Sequence, residues 1–279
     1  MTIGEILREG TERLEQQGID TARLDAELLI GKALGLTRLE LYLDGDRPIN
    51  EEQAAAARAL VERRSRREPV AYILGEWGFR RLTLKVDRRV LVPRPETEVV
   101  VERCLELLRG LDAPDVLDVG AGSGAIALAI ADEHPGARVT AIDVSEDALA
   151  LARENAATIG LDVTFELRDL REGLAGSYDL VVSNPPYVSV EEIEGLQPEV
   201  RDWEPRLATV GEEHTEAVAR AAIDVLRPGG RLVLEVGDGR AAKVTGLLTA
   251  LGYADVAASP DLTGRDRVVE GRWGTSSAR

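Results

Sequence analysis

The sequence has a single cysteine, Cys104, so no disulfide can close within it. Cys104 falls in an apolar helical pattern with Val99, Val100, Leu107 and Leu108, and is expected as a small buried residue. Only two histidines are present. His134 precedes Pro135 near the end of a helix pattern, and His214 lies in an acidic stretch. Neither has metal-ligand spacing to a cysteine or to the other histidine, so no metal site is expected. No apolar run approaches the length that crosses a bilayer. The start, Met1-Thr2-Ile3-Gly4-Glu5, lacks a basic segment followed by an apolar one. These absences lead to the expectation of a soluble, cytoplasmic protein with no membrane partner. Internal repeats and low-complexity segments are also absent.

Positive charge is in deficit. Against 50 acidic residues stand 34 Lys and Arg, a net charge of −16. A surface of that sign repels a phosphate backbone, so direct nucleic-acid binding is not expected. The one basic cluster, Arg63-Arg64-Ser65-Arg66-Arg67, reads as a solvated helix end favoured by the helix dipole rather than as a binding patch. What is plentiful is apolar material, 44% of 279 residues, enough for one large and one small domain.

Helical periodicity covers residues 2–17 and 20–34, where Leu24, Leu28, Leu29 and Ala33 recur at spacings of three and four, and a third helix covers about 51–67. Residues 1–70 therefore read as a small helical bundle with little chemistry of its own, suited to packing or to recognition of a substrate protein. Residues 71–92 read as a β-hairpin linker, from the alternation in Ile73–Phe79 and Leu82–Val86. The prolines of Pro93-Arg94-Pro95 set an extended turn, and Glu96, Thr97 and Glu98 open a helix. From about residue 112 strands and helices alternate. The strands are expected at 115–119, 138–142, 163–165, 178–183, 231–236, 254–258 and 267–270. The alternation implies a doubly wound α/β domain over 93–273, followed by a flexible tail at 274–279.

Gly120-Ala121-Gly122-Ser123-Gly124 joins the first strand of that domain to a helix, at the carboxyl end where open α/β sheets bind ligands. Asp143 ends the next strand, placed to accept the two ribose hydroxyls of a nucleoside. Gly120-x-Gly122-x-x-Ala125 also satisfies a dinucleotide fingerprint, so a nicotinamide enzyme competes at this point. Asp118 is expected to support the loop through hydrogen bonds rather than to touch a ligand. Asp169, after the third strand, is by itself an exposed loop acid and in this context a candidate contact for an adenine amine.

Asn184-Pro185-Pro186-Tyr187 follows directly on the fourth strand. Its two prolines stiffen the backbone and remove two N–H donors, which leaves carbonyls beside the Asn184 side-chain oxygen. Asn184 and the Pro185 carbonyl can each take one hydrogen of an NH₂ group, and Tyr187 offers a flat face to a planar amide or base. Out of context such a tetrapeptide is a turn. At the end of this strand, it fits methylation of a planar nitrogen. A hydride-transfer reading weakens, since both histidines lie outside the candidate site. A non-catalytic nucleotide-binding module is disfavoured by the intact glycine loop, Asp143 and Asn184.

The chain resembles the release factor glutamine methyltransferase family nearly end to end. The resemblance rests on Pro93-Arg94-Pro95-Glu96-Thr97-Glu98, Asp118 through Gly124, Val182 through Tyr187, Val200-Arg201-Asp202-Trp203-Glu204-Pro205, Pro228-Gly229-Gly230 and Asp261-Leu262-Thr263-Gly264-Arg265-Asp266-Arg267. It implies a class I S-adenosylmethionine-dependent methyltransferase: a Rossmann-like, seven-stranded sheet with a small N-terminal helical domain. The implied reaction is N5-methylation of the glutamine amide in the Gly-Gly-Gln motif of class I peptide chain release factors, with S-adenosylhomocysteine as product. It implies cofactor contacts at Gly120, Ala121, Gly122, Ser123, Gly124, Asp143, Asp169, Leu170 and Asn184. Substrate contacts are implied at Asn184, Pro185, Pro186 and Tyr187, with Asn184, Pro185 and Tyr187 at the reacting centre, and a monomer is expected. Departures occur at Leu170, where the family often has an aromatic residue, at Arg240, where it often has Gln, and at 209–215, which lacks a second glycine. The Arg94 segment reads equally as a lid or strut and as a plain linker. The rival substrates are a ribosomal-protein glutamine and a nucleobase amino group, either adenine N6 or guanine N2.

Overall fold

The computed structural model describes residues 1–274, so the tail expected to be flexible lies, from residue 275, outside the described residues. In chain order the first elements are α1 (Ile3–Glu15), α2 (Ala22–Leu34), α3 (Arg38–Leu43), α4 (Glu51–Ser65), α5 (Val70–Leu74), β1 (Glu76–Phe79), β2 (Leu82–Lys85) and α6 (Pro95–Leu108). There follow β3 (Asp115–Val119), α7 (Ala125–Glu133), β4 (Arg138–Asp143), α8 (Glu146–Ile159), β5 (Thr164–Leu167), β6 (Tyr178–Ser183), α9 (Pro198–Trp203) and α10 (Arg206–Thr209). The last are α11 (Glu213–Val225), β7 (Leu226–Glu235), α12 (Ala241–Ala250), β8 (Ala254–Pro260) and β9 (Asp266–Arg272). Two compact units result: Met1–Glu76 with Gln197–Trp203, and Trp77–Leu196 with the chain from Glu204 onward. No described helix is long and apolar enough to cross a membrane.

In the helical unit, α1, α3 and α4 each start with a capping box, Thr2 with Glu5, Thr37 with Glu40 and Asn50 with Gln53. Each satisfies two otherwise orphaned N–H groups, and such a cap contributes about 1 kcal/mol. Ile3, Ile6 and Leu14 of α1 pack with Ala26 and Ile30 of α2 and with Ala57 and Val61 of α4. The buried face of α2 differs from the stripe expected from sequence. Leu24 is exposed, and the face that turns inward is Ala22, Asp25, Ala26, Leu29 and Ile30. Four apolar residues set that face toward the core, and Asp25 among them meets Arg64.

Arg64 is no solvated helix end. It is 5% exposed, with its Nε donating to Asp25 Oδ2 at 2.7 Å and its Nη1 2.7 Å from Glu199 Oε1. The neighbouring Arg67 sits at φ +66° and binds the other Glu199 oxygen at 2.8 Å, while its Nη1 donates to the Gln17 and Gly18 carbonyls. Glu199 lies on α9, so this buried pairing is what groups residues 197–203 with the helices, although they fall inside the 93–273 stretch read as one domain. The hairpin of the second unit is also shorter than the 71–92 segment. Residues 70–74 form a helical turn, ended by Gly75 at φ +76°, and the strands run only from Glu76 to Lys85.

The main sheet has seven strands in the order β5-β4-β3-β6-β7-β9-β8. β9 pairs antiparallel with both its neighbours and the other pairings are parallel. Alternate residues of each central strand serve opposite cores, as a doubly covered sheet requires. Val116, Leu180, Val182 and Val233 pack with α6, α7 and α8, whereas Leu117, Val181, Leu232 and Leu234 pack with α11 and α12. Cys104 is fully buried on the first of these faces, where burial raises its thiol pKa. Chain direction across the sheet reverses at β3, which opens a crevice beyond the carboxyl ends of β3 and β6.

Removing the Arg64 charge leaves the buried Asp25 without its cation and Glu199 with Arg67 alone. Arg64→Ala is therefore expected to destabilise the protein by about 3–5 kcal/mol. Urea unfolding of the two proteins checks this, and a loss under about 1 kcal/mol contradicts the role assigned to the network.

Candidate functional site

Strand register assembles the site. Val119 on β3 is level with Ile142 on β4 and with Ser183 on β6, and Ser183 is level with Leu234 on β7. The next residue on each strand is therefore Asp143, Gly120, Asn184 or Glu235, side by side along one edge of the sheet. Neighbouring strands lie about 4.8 Å apart, so Asp143 and Asn184 are separated by about 10 Å with the glycine loop between them.

Gly120, Gly122 and Gly124 take φ +85°, +53° and +82°, the left-handed region that side chains avoid. A Cβ added at Gly120 or Gly122 would meet nothing within 4 Å, so those glycines leave open space above the backbone. At Gly124 it would meet Leu128 at 3.1 Å and Ala152 at 3.3 Å, and there the missing side chain lets α7 and α8 close together. The loop is held from three sides. Gly120 and Ala121 donate to the Ile142 carbonyl, and Gly122 donates to Asp143 Oδ2, each at 2.9 Å. Asn155 of α8, 2% exposed, donates to the Ser123 carbonyl at 2.9 Å and also binds both backbone groups of Lys85. Ser145 N–H occupies the other Asp143 oxygen at 2.9 Å, which fixes the carboxylate at the mouth of the loop.

Asp118 supports the start of α7, beneath the loop. Gly124, at the N-cap of α7, has no side chain to offer, and Asp118 Oδ2 accepts the Ala127 N–H at 3.1 Å in its place. Its other oxygen is buried without a partner. Burial pushes the Asp118 carboxyl up to about 7, against the Ala127 hydrogen bond and with the Asp143 charge adding to the rise.

On the other side of β3, Ser183 Oγ donates to the Val119 carbonyl at 2.6 Å and ties the two strand ends together. Asn184 is half-buried, and its Nδ2 donates to Thr97 Oγ1 at 3.3 Å. Thr97 Oγ1 in turn donates to Glu235 Oε2 at 2.6 Å, and both residues are buried. Burial lifts the Glu235 carboxyl to about 7, opposed by Thr97, Arg267 and Arg94 and reinforced by Glu96. Pro185 is buried, while Pro186 and Tyr187 are half-buried. The Tyr187 ring lies against Gly237, where a Cβ would come within 2.8 Å of it. Burial raises the Tyr187 phenol. Thr97, Glu235, Gly237 and Asn155 carry this site without having been singled out for a role in it. Thr97 does occur in the Pro93–Glu98 pattern and Glu235 within the strand expected at 231–236, but nothing local says that they meet.

The remaining expected positions are less directly poised. Asp169 caps the single turn Leu170–Glu172 and is tied to the Arg171 guanidinium at 2.5–3.0 Å, which holds its carboxyl down at about 2. Leu170 is partly buried against the core beneath, and Val144, next to Asp143, is exposed. Arg94 grips the buried Glu204 with one nitrogen, at 2.6 and 2.8 Å from its two oxygens, so it ties the start of α6 to Glu204 rather than hanging free. Arg240 reaches Glu192 at 2.6 Å and Glu212 at 2.9 Å, bracketing the segment after Tyr187. In the 261–267 segment Asp261 accepts from Thr263 and Arg267, Arg267 also donates to the Val236 carbonyl, and Leu262 is fully exposed.

Residues 5–75 match the family model for the PrmC N-terminal domain, and residues 99–197 match that for the methyltransferase small domain. A release factor glutamine methyltransferase of Geobacter sulfurreducens is 44% identical, over 98% of this chain and 97% of its own length. One of Caulobacter vibrioides is also 44% identical, over 93% of this chain and 92% of its own length. Among solved structures, a methyltransferase from Pyrococcus furiosus shares the fold, with a TM-score of 0.51 over 70% of this chain and 91% of that one at 20% identity.

Because the folded-state pKa of Asp118 lies above its ordinary value of 3.8, the native protein holds a proton that the unfolded chain releases. The stability share of this group therefore falls as pH rises from about 4 to about 7. The stability of Asp118→Asn relative to the unsubstituted protein is expected to climb through that window, with a slope up to about 1.4 kcal/mol per pH unit. Urea unfolding across pH 5–8 reads the slope, and a flat difference contradicts it.

Proposed function

The chain belongs to the release factor glutamine methyltransferase family, and on that footing we propose that it methylates N5 of the glutamine in the Gly-Gly-Gln motif of class I release factors, using S-adenosylmethionine. The observation that carries this reading is the position and orientation of Asn184. It stands level with the glycine loop, and its amide nitrogen is committed inward to Thr97, which leaves its oxygen free to receive a substrate N–H.

The residues fit the cofactor. Gly120–Gly124 present a side-chain-free backbone, Asp143 is set to accept the ribose hydroxyls, and Asp169, Leu170 and the exposed Val144 flank the place for the adenine. The orphaned Asp118 oxygen behind the loop is an acceptor for a cationic donor such as the amino acid end of the cofactor. When bound, S-adenosylmethionine supplies an electrophilic methyl on sulfur.

The protein's own task is positional. An amide nitrogen is a weak nucleophile because its lone pair is delocalised. Asn184 Oδ1 and the Pro185 carbonyl each accept one hydrogen of the glutamine NH₂, which turns the nitrogen's remaining face toward the methyl. Tyr187, backed by Gly237, supports the plane of the amide. Near-attack alignment is the main contribution. With the cofactor bound, the N–C bond would form as the methyl–sulfur bond breaks, leaving S-adenosylhomocysteine, and the two acceptors would bind the nitrogen as it gains positive charge more tightly than the neutral amide. The nitrogen then gives up one proton to an adjacent carbonyl or to water. The reading places the protein in the cytoplasm, acting as a monomer on release factors, with the helical unit as the substrate-protein recognition element. No direct contact with nucleic acid is required.

Mass spectrometry of a release factor incubated with the protein and S-adenosylmethionine is expected to find one methyl on the Gly-Gly-Gln glutamine. A methyl appearing instead on a ribosomal-protein glutamine, or on adenine or guanine of added nucleic acid, overturns the reading. Asn184→Ala is expected to lower kcat by about 10²–10³-fold while calorimetric affinity for the cofactor changes far less. Equal losses in the two quantities would remove Asn184 from the acceptor role.

A further inference from the structure

Asn184 can serve as an acceptor only in one of its two amide orientations, and the two differ little in shape. A flip of the side-chain amide would turn NH₂ toward the substrate's own NH₂, donor against donor. Some feature of the protein must therefore choose between them. We propose that Thr97 and Glu235 form an orienting relay that locks the Asn184 amide with its oxygen toward the substrate. The proposal rests on the functional reading above and adds two positioning residues to it.

The relay works by hydrogen-bond direction. An ionised carboxylate only accepts, so Glu235 Oε2 at 2.6 Å commits the single hydroxyl proton of Thr97. Thr97 Oγ1 then has only lone pairs left for Asn184, and the group 3.3 Å away must be the donating nitrogen. Oδ1 is thereby turned outward. The three residues come from separate elements: Thr97 from the first turn of α6, Asn184 from the end of β6 and Glu235 from the end of β7. Glu235 is 2% exposed and Thr97 4%, so water does not compete for these bonds. A buried carboxylate aimed at a lone threonine is costly to maintain unless it does something with that threonine.

Protonation of Glu235 reverses the logic. A carboxylic acid can donate to Thr97, whose own proton is then released toward Asn184 and favours the flipped amide. The charged and titratable groups facing Glu235 are Arg267 on β9, Arg94 and Glu96 at the start of α6, and Tyr187 after β6. The arginines hold the carboxyl down, while burial and Glu96 hold it up. The sign is definite: methyl transfer falls as pH drops through about 7, where Glu235 takes its proton.

The test compares the unsubstituted protein with Thr97→Val, Thr97→Ser and Glu235→Gln, using release factor and S-adenosylmethionine from pH 6 to 9. Melting curves and calorimetric cofactor binding report that each variant is folded. Thr97→Val keeps the side-chain shape and removes the hydroxyl. It is expected to lower kcat by about 10²-fold, the scale of a misplaced contact group. Cofactor affinity should stay unchanged and the fall toward acid should disappear. Thr97→Ser restores the hydroxyl and is expected to restore both rate and pH profile. Glu235→Gln is expected to give a reduced rate that is flat across the acid limb. If the unsubstituted protein methylates the glutamine and Thr97→Val keeps its kcat and its acid limb, the relay is overturned and the functional reading stands. If the unsubstituted protein puts no methyl on the glutamine, the functional reading falls and takes the relay with it. Should Thr97→Val not fold, the relay is decided by Thr97→Ser and Glu235→Gln. An unaltered acid limb in Glu235→Gln, or a Thr97→Ser profile as poor as a lost hydroxyl, overturns it.

Discussion

Parallel strands of one sheet must share a hydrogen-bonding register, and in this protein that register decides where the chemistry can occur. Val119, Ile142, Ser183 and Leu234 lie on one level. Each is followed by a residue of the candidate site, so Asp143, the glycine loop, Asn184 and the buried Glu235 are lined up although they are far apart in sequence. A shift of one residue in any pairing would turn the corresponding group to the opposite face of the sheet. The buried valines, leucines and isoleucines of β3, β4, β6 and β7 make such a shift expensive, since it would exchange the two cores. The apolar pattern that builds the fold is thus also what aims the site.

Charge is handled in two different ways. Most of the buried or half-buried carboxylates are met by arginine: Asp25 and Glu199 by Arg64, Glu204 by Arg94, Glu270 by Arg103. These pairs are braces, and they hold segments distant in sequence. Among the fully buried carboxylates of the described residues, Asp118 and Glu235 are the exceptions. Neither is paired directly with a cation, burial raises both to about 7, and both stand just behind the ligand-facing edge. Asp118 supports the glycine loop and Glu235 supports Asn184, one on each side of the β3–β6 crevice. Carboxylates held this way are sensitive to what binds in front of them, which a salt-bridged carboxylate is not.

Much of the fold was legible because it depends on local pattern. Periodicity located the strands to within a few residues, and the glycine loop and the tetrapeptide marked two of the strand ends that matter. The departures have physical causes. Leu24 belongs to the apolar periodicity of α2, yet it is exposed, while Asp25 lies on the inward face with Ala22, Ala26, Leu29 and Ile30. Arg64 reads as solvated because it belongs to a basic run, yet it is the least exposed arginine of that run. Residues 71–74 read as part of the hairpin because short apolar runs do not distinguish strand from helix, and Gly75 closes them as a helical turn. At Asp25 and Arg64 a partner distant in sequence overrode a local preference, whereas the turn at 70–74 is closed locally.

By itself, the sequence determined the class of fold, the glycine loop with its following acid, and an acceptor-rich tetrapeptide at a strand end. Those are properties of short stretches and of apolar periodicity, which need no knowledge of distant neighbours. Only the tertiary structure decided that Thr97 and Glu235 stand behind Asn184, that Gly237 makes room for Tyr187, and that Asn155 pins the loop at Ser123. Thr97 and Glu235 are 138 residues apart, and nothing in the spacing of a threonine and a glutamate foretells a 2.6 Å hydrogen bond between them. The bond exists because α6 covers the face of the sheet onto which β7 turns Glu235, and a buried carboxylate must be satisfied by whatever the covering helix presents.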